Sequence, residues 1–138
     1  MKKIALLATA FLFSFAIMAQ VKADDLIKVN TEKHDFGKLK VGVPVTYAFE
    51  LTNISNKPVV VENTTAGCGC TTPEKPEKPI MPGETVKLKV QYNAAAVAPF
   101  TKEVFVKLGG VEEPKKLLIT GEVLTAEAYE AWEKTKGN

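Results

Sequence analysis

Cys68-Gly69-Cys70 is the one constellation in this chain whose residue types and spacing could do chemistry. Two thiols one residue apart point to the same side of an extended chain, and Gly69 lets the backbone bend them closer. A disulfide would close a loop of three residues, for which chain entropy gives about 1.6 kcal/mol before ring strain is subtracted. Such a bond is a weak staple. Exchanging electrons with another thiol is a better use for it, but this requires access and a depressed thiol pKa, and Lys75 lies five residues beyond Cys70. Two thiolates would also suit copper(I) or zinc, yet a closed zinc site takes four ligands and the chain offers two Cys and one His, His34. The fourth reading is structural: Thr64, Thr65, Thr71 and Thr72 flank the pair and can hydrogen-bond local backbone, holding a compact turn. All four readings stay open. The binding or redox candidates are Cys68, Gly69, Cys70 and Thr71, and the metal candidates Cys68, Cys70 and His34.

Other chemistry finds little material. Ser55 is the only serine after residue 19 and has no GxSxG around it, so a hydrolase triad is not supported. Glu74 and Glu77 sit in a Pro-rich stretch, and Glu112 and Glu113 adjoin a turn; both pairs read as solvated surface. Gly37 and Gly42 lack the GxGxxG order of a phosphate cradle. Hence no cofactor is expected, and the chain reads as a binding or structural module rather than an enzyme. Asn53-Ile54-Ser55 and Asn63-Thr64-Thr65 match the glycan acceptor pattern, which is permissive.

The 138 residues are 46% hydrophobic and 25% charged, enough for one domain. Lys2 and Lys3 precede an apolar run from Ile4 to Met18 and the small residue Ala19, the pattern of a cleaved export signal over 1–19, with an alternative cut after Ala23. That run is shorter than the roughly 20 residues that span a bilayer, and no later stretch reaches that length, so integral membrane insertion is not expected. Removing residues 1–19 takes two of the 18 basic residues and no acidic one, leaving 16 Lys against 16 Asp plus Glu. A neutral chain without a single Arg has no nucleic-acid footprint. The expected location is periplasmic or secreted, and the expected partner a protein or glycan of the cell envelope.

The elements that would carry the cysteine turn read as strands. Val45, Tyr47, Phe49 and Leu51 alternate with Thr46, Ala48, Glu50 and Thr52; Val86, Leu88, Val90 and Tyr92 alternate with Thr85, Lys87, Lys89 and Gln91. Thr101–Leu108 and Lys116–Leu124 repeat the pattern, Pro58–Thr65 holds three consecutive valines of ambiguous face, and Leu26–Asn30 and His34–Leu39 are shorter candidates. Turn residues fall between them at Asn53–Pro58, Pro82-Gly83 and Gly109–Pro114. No 3.6-residue period is sustained before Leu124, which favours an all-β, immunoglobulin-like antiparallel β-sandwich of about seven strands over 24–124. Ala66 to Met81 reads as a long irregular loop. Pro58 and Lys89 could guard exposed strand edges. Residues 125–138 read as a tail or short helix begun by Thr125, with Trp132 laid against the sandwich.

Taken in order, Phe36-Gly37, Gly42, Phe49, Leu51, Asn53, Pro58, Cys68-Gly69-Cys70-Thr71, Pro79-Ile80-Met81-Pro82-Gly83-Glu84, Tyr92, then Leu118, Ile119, Gly121 and Val123 resemble the bacterial family of domains of unknown function 1573. The resemblance covers roughly Asp35 to Val123, and the CGCT and PI-x-PGE elements carry most of it. It implies an immunoglobulin-type sandwich related to domains that begin centrosomal and ciliary scaffold proteins, common in secreted proteins of gut anaerobes and without an assigned reaction. Cys68 and Cys70 match the family's cysteine pair, and Pro82, Gly83 and Glu84 its turn into a strand. Between Asn93 and Pro99 the chain departs, with Ala94, Ala95, Ala96 and Ala98 where the resemblance implies a glycine.

Overall fold

The alternating segments pair as strands whose apolar sides face one another across a dry interior. A computed structural model describes residues 19–137; the expected leader over 1–19 lies outside them but for Ala19. A one-turn helix α1 (Ala23–Leu26) leads into β1 (Ile27–Val29), β2 (Lys33–Lys40), β3 (Val45–Asn53), β4 (Val61–Ala66), β5 (Thr71–Pro73), β6 (Thr85–Tyr92), β7 (Pro99–Leu108), β8 (Lys115–Leu124) and helix α2 (Ala126–Lys136). One sheet has the order β1-β3-β6-β5 and the other β2-β8-β7-β4. Phe49, Leu51, Leu88 and Val90 from the first sheet and Val104, Val106, Leu108, Leu117 and Ile119 from the second are fully buried, as their period-two spacing predicts. Val59 and Val61 point inward and Val60 outward, which resolves the valine run.

The expected sandwich is present, with one difference in pairing: β2 runs parallel to β8, while every other pair is antiparallel. The cause is a divided first strand. β1 pairs antiparallel with β3, then Asn30 to Glu32 carry the chain across the sandwich, and β2 continues on the other sheet beside β8. Counted as one strand, β1 and β2 leave seven in the immunoglobulin order. Asn30 finishes the edge that β1 abandons: its backbone N–H donates to Glu50 O (3.1 Å), its Oδ1 accepts from the Glu50 N–H (3.0 Å), and its Nδ2 donates to Tyr47 Oη (3.1 Å).

A second difference concerns Ala66 to Met81, which holds the strand β5 rather than only irregular chain. Thr71, Thr72 and Pro73 pair with Tyr92, Gln91 and Val90, and the Glu74 N–H extends the contact to Lys89 O (2.8 Å). Among the described residues no strand pairs with β6 on that side beyond Lys89, toward Thr85, and Lys89 forms an exposed ion pair with Glu74 (3.8 Å). Lys115 is the one buried lysine among the described residues; its Nζ donates to Asp24 Oδ1 and Glu32 Oε1. Burial works to lower its pKa, but those two hydrogen bonds and carboxylate charges outweigh it and the group stays protonated, its pKa raised.

Helix α2 begins where Thr125 caps it, its hydroxyl oxygen accepting from the Ala128 N–H (3.2 Å). It lies along β2 and β8, with Lys40 paired to Glu130 (3.1 Å). Trp132 is half-buried, its ring 4.3 Å from Lys136 Nζ and 5.7 Å from Lys38 Nζ. Among the described residues no helix is long and apolar enough to cross a membrane.

Candidate functional site

The cysteine turn joins the outer strand of one sheet to the outer strand of the other, because β4 and β5 lie on the same flank of the sandwich. Cys68 and Cys70 are bridged by a disulfide across a Cα–Cα separation of 5.3 Å, and the chain has no other cysteine. Backbone bonds hold the turn as well. The Gly67 N–H donates to Glu103 O (3.1 Å), the Thr71 N–H to Cys68 O (3.3 Å) and the Asn93 N–H to Cys70 O (3.0 Å). Gly69 is exposed, both cysteines are half-buried, and Thr71 is buried at 4%. Cys70 packs against the core, whereas Cys68 lines a shallow recess with Gly67, Thr101, Lys102 and Glu103. The Thr71 hydroxyl stands 3.8 Å from Cys68 Sγ and 4.0 Å from Cys70 Sγ, and since neither bridged sulfur carries a proton, the hydroxyl is the donor. Of the four flanking threonines, only Thr71 therefore faces the sulfurs.

Sequence reasoning missed the surroundings of this turn. The β2–β3, β4–β5 and β6–β7 connections meet at one end of the sandwich, linked by the Asn93–Cys70 bond and by the Gly42 N–H donating to Ala94 O (2.9 Å). None of residues 41–45, 66–72 or 93–100 is charged. Val43 and Val97 are each about half exposed, with Pro44, Ala95, Ala96, Ala98 and Pro99 also at the surface. The opposite end carries Glu32, Lys57, Glu74, Lys75, Glu77, Lys78, Glu84, Glu112 and Glu113 in its connections. At Ala94 the backbone takes φ +51°, the left-handed conformation for which a glycine is the easier residue.

His34 is not brought to the cysteines. It lies on β2, at the flank opposite β4 and β5, where its ring stacks on Tyr47 (3.5 Å between centroids) and meets the edge of Phe36 (4.7 Å). Tyr47 in turn meets Phe49, so the aromatics close the gap opened where the first strand changes sheets. Burial lowers the His34 pKa below its ordinary value of 6.5, and the Asp35 charge opposes this only in part. Between that value and the lowered one the unfolded chain binds a proton that the folded protein refuses, so stability is full above pH 6.5 and declines as pH falls through the window. The urea midpoint is therefore expected to drop between about pH 7.5 and pH 5, and His34→Phe to shrink that drop; an unchanged pH dependence in the variant would contradict it.

Among the described residues, no group of three or more His, Cys, Asp or Glu is gathered to hold a metal ion. Compared with known families, residues 27–123 match the profile described as "Protein of unknown function (DUF1573)". The chain belongs to this family. No curated protein matches it in sequence. Among solved structures, it is similar to a protein of unknown function from Porphyromonas gingivalis W83 (TM-score 0.63, 14% identity, 70% of this chain and 46% of that one). It is also similar to the VesB protease of Vibrio cholerae (TM-score 0.58, 14% identity, 73% of this chain and 33% of that one). A third is the ASH / PapD-like domain of human CEP192 (TM-score 0.60, 8% identity, 73% of this chain and 87% of that domain). This DUF1573 chain thus spans less than half of the first two. At such identities the likeness establishes the sandwich and leaves activity to the residues of the site.

Proposed function

We propose that this DUF1573 protein is an exported, non-catalytic binding module that docks its uncharged end onto a neutral, apolar protein surface in the cell envelope. One observation carries the reading: three connections from both sheets converge at that end without a charge among them, in a chain with charges through every opposite connection. A tip whose connections carry no charge and expose Val43 and Val97 gains by burying apolar area. Export rests on the leader pattern of residues 1–19. A soft-metal site has less support, since the disulfide takes both thiolates and His34 belongs to the opposite flank. Thiol–disulfide exchange is supported by the access to Cys68 and is taken up below.

A photo-crosslinking residue introduced at Val97 is expected to capture one dominant, identifiable envelope protein in cells, and the same residue at Lys57 on the charged end to capture none. Val43→Glu with Val97→Glu should abolish the adduct at a crosslinker placed at Ala96, with the thermal midpoint within a few degrees of the parent, because both sites are on the surface. Equal capture from the two ends, or an adduct indifferent to the added charges, would end the proposal.

A further inference from the structure

Opening the Cys68–Cys70 bond costs this fold little, and the turn around it is built to receive the thiolates that opening produces. Gly67, Cys68 and Cys70 are tied to both sheets by the backbone bonds to Glu103, Thr71 and Asn93, so the turn keeps its place without the bridge. Cys68 is reached from solvent through the recess that it lines with Gly67, Thr101, Lys102 and Glu103. The buried hydroxyl of Thr71 has one proton that can point to either sulfur, and among the described residues it makes no other side-chain hydrogen bond. A donor held at the place where negative charge develops stabilises the leaving thiolate more than the neutral disulfide. The neighbouring connections, uncharged and exposing Val43 and Val97, offer apolar area that a protein partner can bury and a small thiol cannot.

From this geometry we infer that Cys68 and Cys70 form an exchangeable disulfide reduced by the dithiol of a partner protein that docks on the uncharged end. The inference rests on the docking reading above for its partner and on the turn alone for its chemistry. A partner thiolate attacks Cys68 Sγ; the Cys68–Cys70 bond breaks, a mixed disulfide forms, and Cys70 Sγ leaves with the electron pair of the broken bond, stabilised by the Thr71 hydroxyl. The partner's second thiol loses its proton and attacks the mixed disulfide on the partner's own sulfur. That closes the partner's disulfide and releases Cys68 as a thiolate. Two electrons and two protons pass in total from the partner dithiol to the pair, which ends as two thiols.

The test follows the thiol state of the folded protein by alkylation and mass, with two reductants: dithiothreitol, which needs no docking, and a thioredoxin-type protein dithiol. Dithiothreitol is expected to reduce the pair with the circular dichroism unchanged. Thr71→Val should slow that reaction about tenfold, the loss of one hydrogen bond to a charged group, and Thr71→Ser should restore it. Val97→Glu should slow the protein dithiol far more than dithiothreitol. Resistance of the folded protein to dithiothreitol under conditions that reduce the unfolded chain overturns the inference, and so does a Thr71→Val variant reduced at the parent rate. If both reductants work and Val97→Glu changes neither, the exchange chemistry stands and the docking reading falls.

Discussion

Gly121→Ala is expected to cost about 3 kcal/mol, a large part of the margin of a domain this size, although it adds one methyl group. A Cβ at Gly121 would lie 2.8 Å from two ring atoms of Phe100 and 2.9 Å from Gly37 O. Neither neighbour can withdraw. The Phe100 ring is stacked on Tyr92 at 4.0 Å and is itself buried, so moving away from β8 drives it into the core. Gly37 sits where β2 slips its register between Asp35 and Lys38, at φ +70°, with its N–H donating to Asp35 Oδ1 (2.9 Å). That bulge aims the Gly37 carbonyl across Gly121 and is pinned by a side chain of its own strand. Urea denaturation reads the effect directly. In a Phe100→Leu background the added cost of Gly121→Ala should shrink, because the ring supplies two of the three close contacts; a Gly121→Ala midpoint equal to the parent would refute the packing account.

The Phe36-Gly37 and Gly121 elements are separated in the chain by more than eighty residues, and their meeting explains why both belong to one pattern. The sequence makes the inward faces of β3, β6, β7 and β8 legible, because a period of two with apolar residues on one side has no competing explanation over eight to ten residues. It hides β5, whose three residues Thr71, Thr72 and Pro73 are too few to display a period and end in a residue that strands avoid. The division of the first strand is hidden too. Asn30 to Glu32 look like any polar break, and only the position of β8 turns that break into a crossing between sheets with a parallel pair beyond it.

The candidate site shows the same limit. Cys68, Gly69, Cys70 and Thr71 are visible as a local motif, but their setting is assembled from three charge-free connections that lie far apart in sequence. Absence of charge over five to eight residues is unremarkable in each connection alone and becomes a surface property only when topology stacks the three. Likewise His34 beside Asp35 gives no hint of Tyr47, thirteen residues away on the other sheet, which makes it a packing residue. The division of labour follows from the two ends. The charged end is closed by dense hydrogen bonding, whereas the uncharged end is left with exposed side chains and a turn tied back at a few points.

That closure of the charged end rests on Asn53, and Asn53→Leu is expected to cost about 3 to 4 kcal/mol. The side chain is buried at 1% and uses every donor and acceptor it can direct. Its Nδ2 donates to Lys57 O and to Ile80 O, both at 2.7 Å, and its Oδ1 accepts from the Ser55 N–H (2.8 Å) and the Ser55 hydroxyl (2.7 Å). Its backbone is engaged as well, donating to Glu84 O and accepting from the Gly83 N–H, both at 2.9 Å. One residue thus ties the β3–β4 connection to the Pro82-Gly83 turn and to β3 itself. Leu is branched at the same atom, though bulkier, and supplies none of the four side-chain bonds, at about 1 kcal/mol each. Asn53→Asp separates hydrogen bonding from shape. It keeps the outline but turns an acceptor toward the two carbonyl oxygens that Nδ2 now serves, so it should cost at least as much as Leu near neutral pH. Burial and those oxygens disfavour the ionised form, raising the introduced carboxyl's pKa above its unfolded value, so the Asn53→Asp protein should gain stability relative to the parent as pH falls and the carboxyl regains a proton to donate. Urea midpoints of the parent, Asn53→Leu and Asn53→Asp proteins at about pH 7 and pH 4 measure both effects. An Asn53→Asp variant as stable as the parent at neutral pH, or one whose deficit fails to narrow in acid, would mean that volume rather than donor geometry holds this end together.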